Sequence, residues 1–232
     1  PTSEKDGSIQ NRYQVKEFWD DITNAYRNNN NNQSSKKNYY IGTIVTSDST
    51  SSDMSTNGRE ESRQNVVDGR QRMVTLYLLY VALADWCKSQ GEECEELYKD
   101  SLKKVFDIPS GRWAKAISQA KRRLTLPDTD GVNLDLLLDK ILEDTPIDVD
   151  DLNQNNTSNI IQAFIFFRES IQKLSEDSDL LNNVSGIDHP IDLIGNFNDY
   201  MEEYLYAGIV KTEDEIRAHV VFETLNVRGM PL

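Results

Sequence analysis

What this chain lacks narrows what it can be. Its 232 residues include two histidines, His189 and His219, and two cysteines, Cys87 and Cys94. A zinc site would have to use all four, at spacings unsuited to it. One possible cysteine pair makes no disulfide framework, so reduced, buried or incidental thiols of a cytosolic protein are the better reading. No apolar run approaches the roughly 20 residues of a membrane-crossing helix, and no signal peptide is visible. P-loop and dinucleotide fingerprints are missing, as is the Gly-x-Ser-x-Gly nucleophile elbow. His219 falls near the polar face of its helix and reads as a surface histidine, not a catalytic base. No His-Asn-His nuclease cluster can be assembled. Basic residues are outnumbered, 25 Lys and Arg against 39 Asp and Glu, for a net charge of −14. That disfavours non-specific nucleic-acid or anionic-membrane binding by the whole surface, and leaves room for a local basic patch.

What is present suffices for a real core. Hydrophobic residues make up 38% of the chain, with 10 Tyr, 7 Phe and 3 Trp, enough for one large domain or two small ones. The chain begins at Pro1 and stops at Leu232 in mid-pattern, so it reads as a fragment. Pro1 to Asn11 reads as loop. Val15, Phe18, Trp19, Ile22 and Tyr26 recur at helical spacing. Asn28 to Asn32 with Gln33 to Ser35 reads as a second loop. Tyr39 to Thr46 is a strand whose Gly42 signals a bulge or a close backbone approach. Ser47 to Arg63 reads as an exposed insertion, and Asn65 to Asp68 as a strand that can pair antiparallel with the first.

A long helix follows from Met73 to about Trp86, apolar on nearly all sides and therefore central. Further helices are expected at Cys94 to Phe106, Gly111 to Leu124, Asn133 to Leu142, Ile160 to Leu174 and from Pro190 on. Leu124 to Pro127 reads as a short extended piece, Glu143 to Asn156 as an acidic loop and Ser175 to Asp188 as a polar link. Tyr206 to Lys211 reads as a strand. Thr212 and Glu215 match a capping box for a last helix. About seven helices against three or four short, separated strands predict an α+β or α/β chain with a helical subdomain inserted into a small sheet.

Two polar constellations stand at element ends. In Asp68-Gly69-Arg70-Gln71-Arg72 a strand meets a glycine turn and a helix start. The first helix amides have no internal partners and sit at the positive end of the dipole, which suits a phosphate. Arg70 and Arg72 add guanidinium donors. An ordinary turn with two solvated arginines fits the same pattern. The second constellation is Glu223, Asn226, Arg228 and Gly229. Glu223 and Asn226 share a helix face and could hold Mg²⁺, or its waters, against phosphate oxygens. Helix capping and a surface turn also fit. A third feature is the flank Arg112, Lys115, Arg122 and Arg123, a candidate phosphate-backbone contact for DNA or a solvated helix face. Asp148, Asp150 and Asp151 lack the glycine and terminal Glu of a calcium loop.

Taken together, Tyr40-Ile41-Gly42-Thr43-Ile44-Val45, Val67-Asp68-Gly69-Arg70-Gln71-Arg72-Met73-Val74-Thr75-Leu76 and Phe222-Glu223-Thr224-Leu225-Asn226-Val227-Arg228-Gly229-Met230-Pro231-Leu232 resemble the N-terminal domain of GmrSD-type restriction endonucleases. Phe18-Trp19-Asp20-Asp21-Ile22 adds to the likeness. The resemblance implies a small ParB/sulfiredoxin-like mixed sheet with a large inserted helical part. It places the nucleotide-binding part at 12–89 and 204–232 and the insertion at 90–203. It implies hydrolysis of a nucleoside triphosphate with Mg²⁺, coupled to cleavage of modified or foreign DNA in anti-phage defence. Gly69 and Arg72 fill the places of a phosphate-gripping turn. Arg70, Gln71, Arg228 and Gly229 join them at the nucleotide, with Asp68, Glu223 and Asn226 as catalytic groups and Glu223 and Asn226 on the metal. Cutting would belong to a C-terminal His-Asn-His-type nuclease, fused or separate, and a homo-oligomer is compatible with the pattern. The chain departs from the family in carrying Arg70 where the motif has Gln, and in lacking the upstream Ile-Pro-x-x-Gln-Arg segment. A non-enzymatic ParB-like module that binds DNA or a protein partner, with a switch-only nucleotide site, is the alternative.

Overall fold

The computed structural model describes residues 3–31, 37–48, 64–143, 146–150, 152, 158–184 and 186–228, with the helix path alone given for 3–13, 31, 183 and 225–228. The chain forms two compact units. A helical unit takes Pro1–Lys37 and Val74–Glu203, and a sheet unit takes Asn38–Met73 and Tyr204–Leu232. The result is a helix-rich α+β protein with a small mixed sheet, the class its pattern predicts.

In the helical unit, α1 (Ser3–Asn31) is followed by the greater part of α2 (Arg70–Gln90), a 3-10 turn (Gly91–Cys94) and α3 (Glu95–Val105). Next come β3 (Phe106–Asp107), α4 (Trp113–Ile117) and β4 (Lys121–Arg122). Then follow α5 (Asp128–Ile141), α6 (Asn159–Ser175), α7 (Ser178–Asn183) and α8 (Pro190–Tyr204). The all-round apolar pattern of α2 is explained by its place. Every residue from Tyr77 to Cys87 is buried. The aromatic stripe of α1 packs as its spacing predicts, with Trp19 and Tyr26 meeting the Phe197 ring of α8 at 5.6 and 5.2 Å. Among the described residues one charge lies in this core. Asp85 is fully buried, accepts from Arg168 Nε at 2.9 Å and from the Ile147 amide at 2.8 Å, and so has both oxygens satisfied. Cys87 and Cys94 are free and buried. The hydrogen bond to Cys94 and burial together push the Cys87 thiol far up, so it stays protonated and unreactive.

Several expected loops are helical. Helix α1 extends over Ser3–Asn11, where Glu4, Lys5 and Gln10 are good helix formers. It also continues through the Asn run to Asn31. The reason there is specific: buried Asn29 donates to the Lys37 carbonyl at 3.0 Å and accepts from its amide at 2.9 Å. Part of the expected polar link is α7, capped by Asp177, whose Oδ1 accepts from the Asp179 and Leu180 amides. The Leu-rich helix starts at Asp128, earlier than Asn133. The expected helix from Gly111 to Leu124 is overturned: α4 stops at Ile117, and β4 pairs antiparallel with β3. Backbone pairing wins because Arg123 ties the hairpin down, its amide donating to Val105 O and its Nε to Lys103 O and Phe106 O. Gln33 to Ser35 and most of the expected insertion, 49–63, lie outside the described residues.

The sheet unit holds β1 (Tyr39–Asp48), β2 (Gln64–Asp68) and β5 (Leu205–Thr212) in the order β2-β1-β5. Strand β1 pairs antiparallel with β2, as the sequence suggests, and parallel with β5. Helix α9 (Glu215–Arg228) packs on this sheet through Ala218, which is fully buried. Its cap is not the expected Thr212 and Glu215 box. Asp214 Oδ1 accepts from the Arg217 amide at 2.7 Å, while Thr212 donates to Thr46 O across the sheet and Glu215 accepts from Asn65. Among the described residues no helix is long and apolar enough to cross a membrane.

Candidate functional site

The β2–α2 turn is built around Gly69. Its φ is +82°, and a Cβ there would come within 3.0 Å of Ile44 Cγ1 and Thr43 O. Both facts restrict the position to glycine. The Gly69 carbonyl accepts from the Met73 amide at 3.1 Å, so α2 begins at Arg70, three residues before the expected Met73. The amides of Arg70, Gln71 and Arg72 are therefore the first of the helix and lack partners within it.

The first turn of α2 has no acidic residue and two arginines. The helix dipole disfavours cations there, typically by ~0.3–1 kcal/mol each. Arg72 recovers part of that cost locally. Its Nη1 donates to Thr43 O at 2.9 Å and lies 4.0 Å from Asp68 Oδ2. The guanidinium crosses β1 at Gly42, where φ is +108° and a Cβ would sit 2.9 Å from Arg72 Nε. The β1–β5 register shifts between Tyr40 and Thr43. Gly42 is thus both a bulge and a close approach, the two options its place in the strand suggests. Arg70 and Gln71 are exposed, with no hydrogen bond or ion pair among the described residues.

The structure therefore brings Gly42, Thr43, Asp68, Gly69 and Arg72 together. Glu223 is exposed on α9, and no bond among the described residues joins it to that group. Asn226 and Arg228 lie in α9, and Gly229 lies outside the described residues. Among the described residues no group of three or more His, Cys, Asp or Glu could hold a metal ion. Asp148 and Asp150 are exposed, and Asp151 lies outside the described residues.

The basic flank does not form one helix face. Arg112 and Lys115 are exposed at α4. Arg122 in β4 is held by Asp135 at 2.5 Å and Asp139 at 2.7 Å. Arg123 is engaged with backbone carbonyls and lies 3.5 Å from Asp107.

Sequence reasoning missed one feature beside the turn. The Tyr40 hydroxyl meets Thr43 Oγ1 at 2.6 Å, and the Tyr40 and Tyr206 rings lie 5.2 Å apart, each about half exposed (48% and 50%). The doubled tyrosine at the start of β1 was the only local signal, and the pairing with a strand over 160 residues later is not local.

No curated protein matches the chain. The family model described as the GmrSD restriction endonuclease N-terminal domain matches residues 9–232, which include all three sequence motifs, and the chain belongs to that family.

Proposed function

We propose that the sheet unit binds a nucleoside triphosphate at the Gly69–Arg72 turn and hydrolyses it, as the sensor of a restriction endonuclease that acts on modified or foreign DNA. One observation carries this reading. Gly69, at positive φ and with little room for a Cβ, opens α2, whose first three amides lack partners within the helix, and Arg72 is held beside them by Thr43 O where the dipole favours an anion. Bound phosphate would relieve the two misplaced cations and satisfy the amides at once. Arg72 is already oriented by Thr43 O, so little side-chain freedom is lost on binding.

The residues present suit Mg²⁺ of one kind only. A protein cage is absent among the described residues, but Mg²⁺ commonly takes one or two carboxylates and completes its shell with water and substrate phosphates. Glu223 and Asn226 would hold it or its waters, and there it would neutralise developing phosphate charge. Asp68, half-buried beside Arg72, would hold the turn or orient a water. Arg228 and Gly229 would close on the phosphates from the end of α9. A His-Asn-His-type nuclease, fused or separate, would make the cut, and of the four candidate DNA contacts Arg122 and Arg123 are held in ion pairs while Arg112 and Lys115 are exposed without one among the described residues.

Phosphate release by the full-length protein tests this. Arg72→Ala should lower turnover by at least about tenfold, the loss of one charge-assisted phosphate contact. Turnover unchanged in that variant would sink the assignment. Arg70, exposed at the turn, and exposed Arg112 and Lys115 favour a second reading, a nucleotide-gated DNA-binding or partner-binding module without turnover. DNA binding by the full-length protein that responds to nucleotide, with no phosphate released, would select it.

A further inference from the structure

We propose that Tyr40 and Tyr206 form the shelf on which the nucleobase stacks. This rests on the nucleotide reading above and extends it from the phosphates to the base. The argument begins with the bulge. Tyr40 pairs with Tyr206 and Thr43 with Gly208, so three steps along β1 match two along β5. In a regular strand Tyr40 and Thr43 would point to opposite faces. The extra residue turns them together, and their hydroxyl oxygens meet at 2.6 Å. Gly208 keeps the floor open, because a Cβ there would lie 3.1 Å from the Tyr40 hydroxyl.

The product is an uncharged surface of two neighbouring tyrosine rings, tilted 42° to each other and half in water. Tyr77 and Tyr80, by contrast, are buried. Aromatic faces left in solvent beside a phosphate turn suit a base, since every base offers a π-face to stack on.

Thr43 joins the two halves of the site. Its hydroxyl holds Tyr40, and its carbonyl accepts from the Arg72 guanidinium. Thr43 is three steps along the chain from Tyr40, at most about 10 Å when extended. The bulge therefore organises both subsites: Gly42 admits Arg72, and the shift around it aims Tyr40.

Equilibrium binding to the full-length protein, with Mg²⁺, tests the shelf. The probes are ATP, GTP, CTP and UTP, and inorganic tripolyphosphate, which has no base. Tyr206→Ala should weaken the nucleoside triphosphates by about 5- to 100-fold, the range for one lost base–aromatic stack. It should leave tripolyphosphate within about twofold. Tyr206→Phe, which keeps the ring, should bind as the parent does. Wild-type affinity of Tyr206→Ala for all four nucleotides, with Arg72→Ala still defective, would overturn the shelf and spare the phosphate site. An equal loss for tripolyphosphate would also overturn it, as would a loss of DNA or protein binding without change in nucleotide affinity. No nucleotide binding by the parent protein would remove both readings.

Discussion

The two units spend their side chains differently. The helical unit buries most of its large side chains, including Trp86, Tyr26, Phe164, Phe167 and Phe197, leaves Val132, Leu136 and Leu142 exposed, and pairs the one charge that it encloses among the described residues. In the sheet unit the buried apolar residues among those described are Ile44, Val45 and Ala218, while Tyr40, Tyr206, Ile209, Ile216 and Val220 stand exposed. Its charges are also arranged at a cost, with two arginines at a helix N-terminus. Burial and satisfied charge suit a scaffold, whereas exposed rings and helix amides without partners in their own helix are what the ligand site proposed above would use.

That contrast can be broken experimentally, because all three tryptophans, Trp19, Trp86 and Trp113, belong to the helical unit. Tryptophan fluorescence therefore reports unfolding there, and nucleotide binding reports the sheet unit. The largest effect should come from Asp85→Ala, which leaves Arg168 without its partner in the core. It should cost about 3–5 kcal/mol in denaturant unfolding followed by fluorescence. A cost below about 1 kcal/mol would mean that the buried pair is not what the helical unit depends on.

Gly42→Ala should come next and should act on the other unit. A side chain there meets both an unfavourable φ and the Arg72 guanidinium, at a cost of about 1–3 kcal/mol. The fluorescence midpoint should move less than for Asp85→Ala, and nucleotide binding should be lost. Binding that survives would separate Arg72 placement from the bulge.

The smallest effect is a pH dependence confined to the helical unit. Burial raises the Asp177 pKa, but hydrogen bonds from the Leu180 amide and Arg27, the Arg27 charge and the Asp179 amide outweigh it and hold it below 3.8. A depressed carboxylate stabilises the fold above its unfolded pKa, and that contribution is lost as pH falls through the folded value. Below about pH 4 the parent should lose stability more steeply than Asp177→Asn when both are followed by fluorescence. Parallel acid limbs would show that the Asp177 contacts contribute nothing. The difference should be modest, since both side chains of the Arg27–Asp177 pair are partly exposed.

Much of this was legible in the residues. The periodicity of α1, α6 and α8, the central place of α2, the antiparallel β1–β2 pair and the bulge at Gly42 all follow from local pattern. The helical Asn run did not, because Asn29 needs the backbone of Lys37 to justify it. The presumed basic helix at 111–124 failed for a related reason. Local amphipathicity was present, but Asp135, Asp139 and the carbonyls of Lys103 and Phe106 claimed its arginines.

By itself the sequence determined which residues could carry chemistry. The glycine turn and helix start at Asp68–Arg72 are legible whatever the tertiary fold, since positive φ and free helix amides are local properties of the chain. Only the tertiary structure decided what they face. Strand β1 draws its parallel partner from the far end of the chain, and long-range pairing leaves no periodic trace in either segment. That pairing set Tyr206 beside Tyr40, and the approach of α2 to β1 laid Arg72 across Gly42.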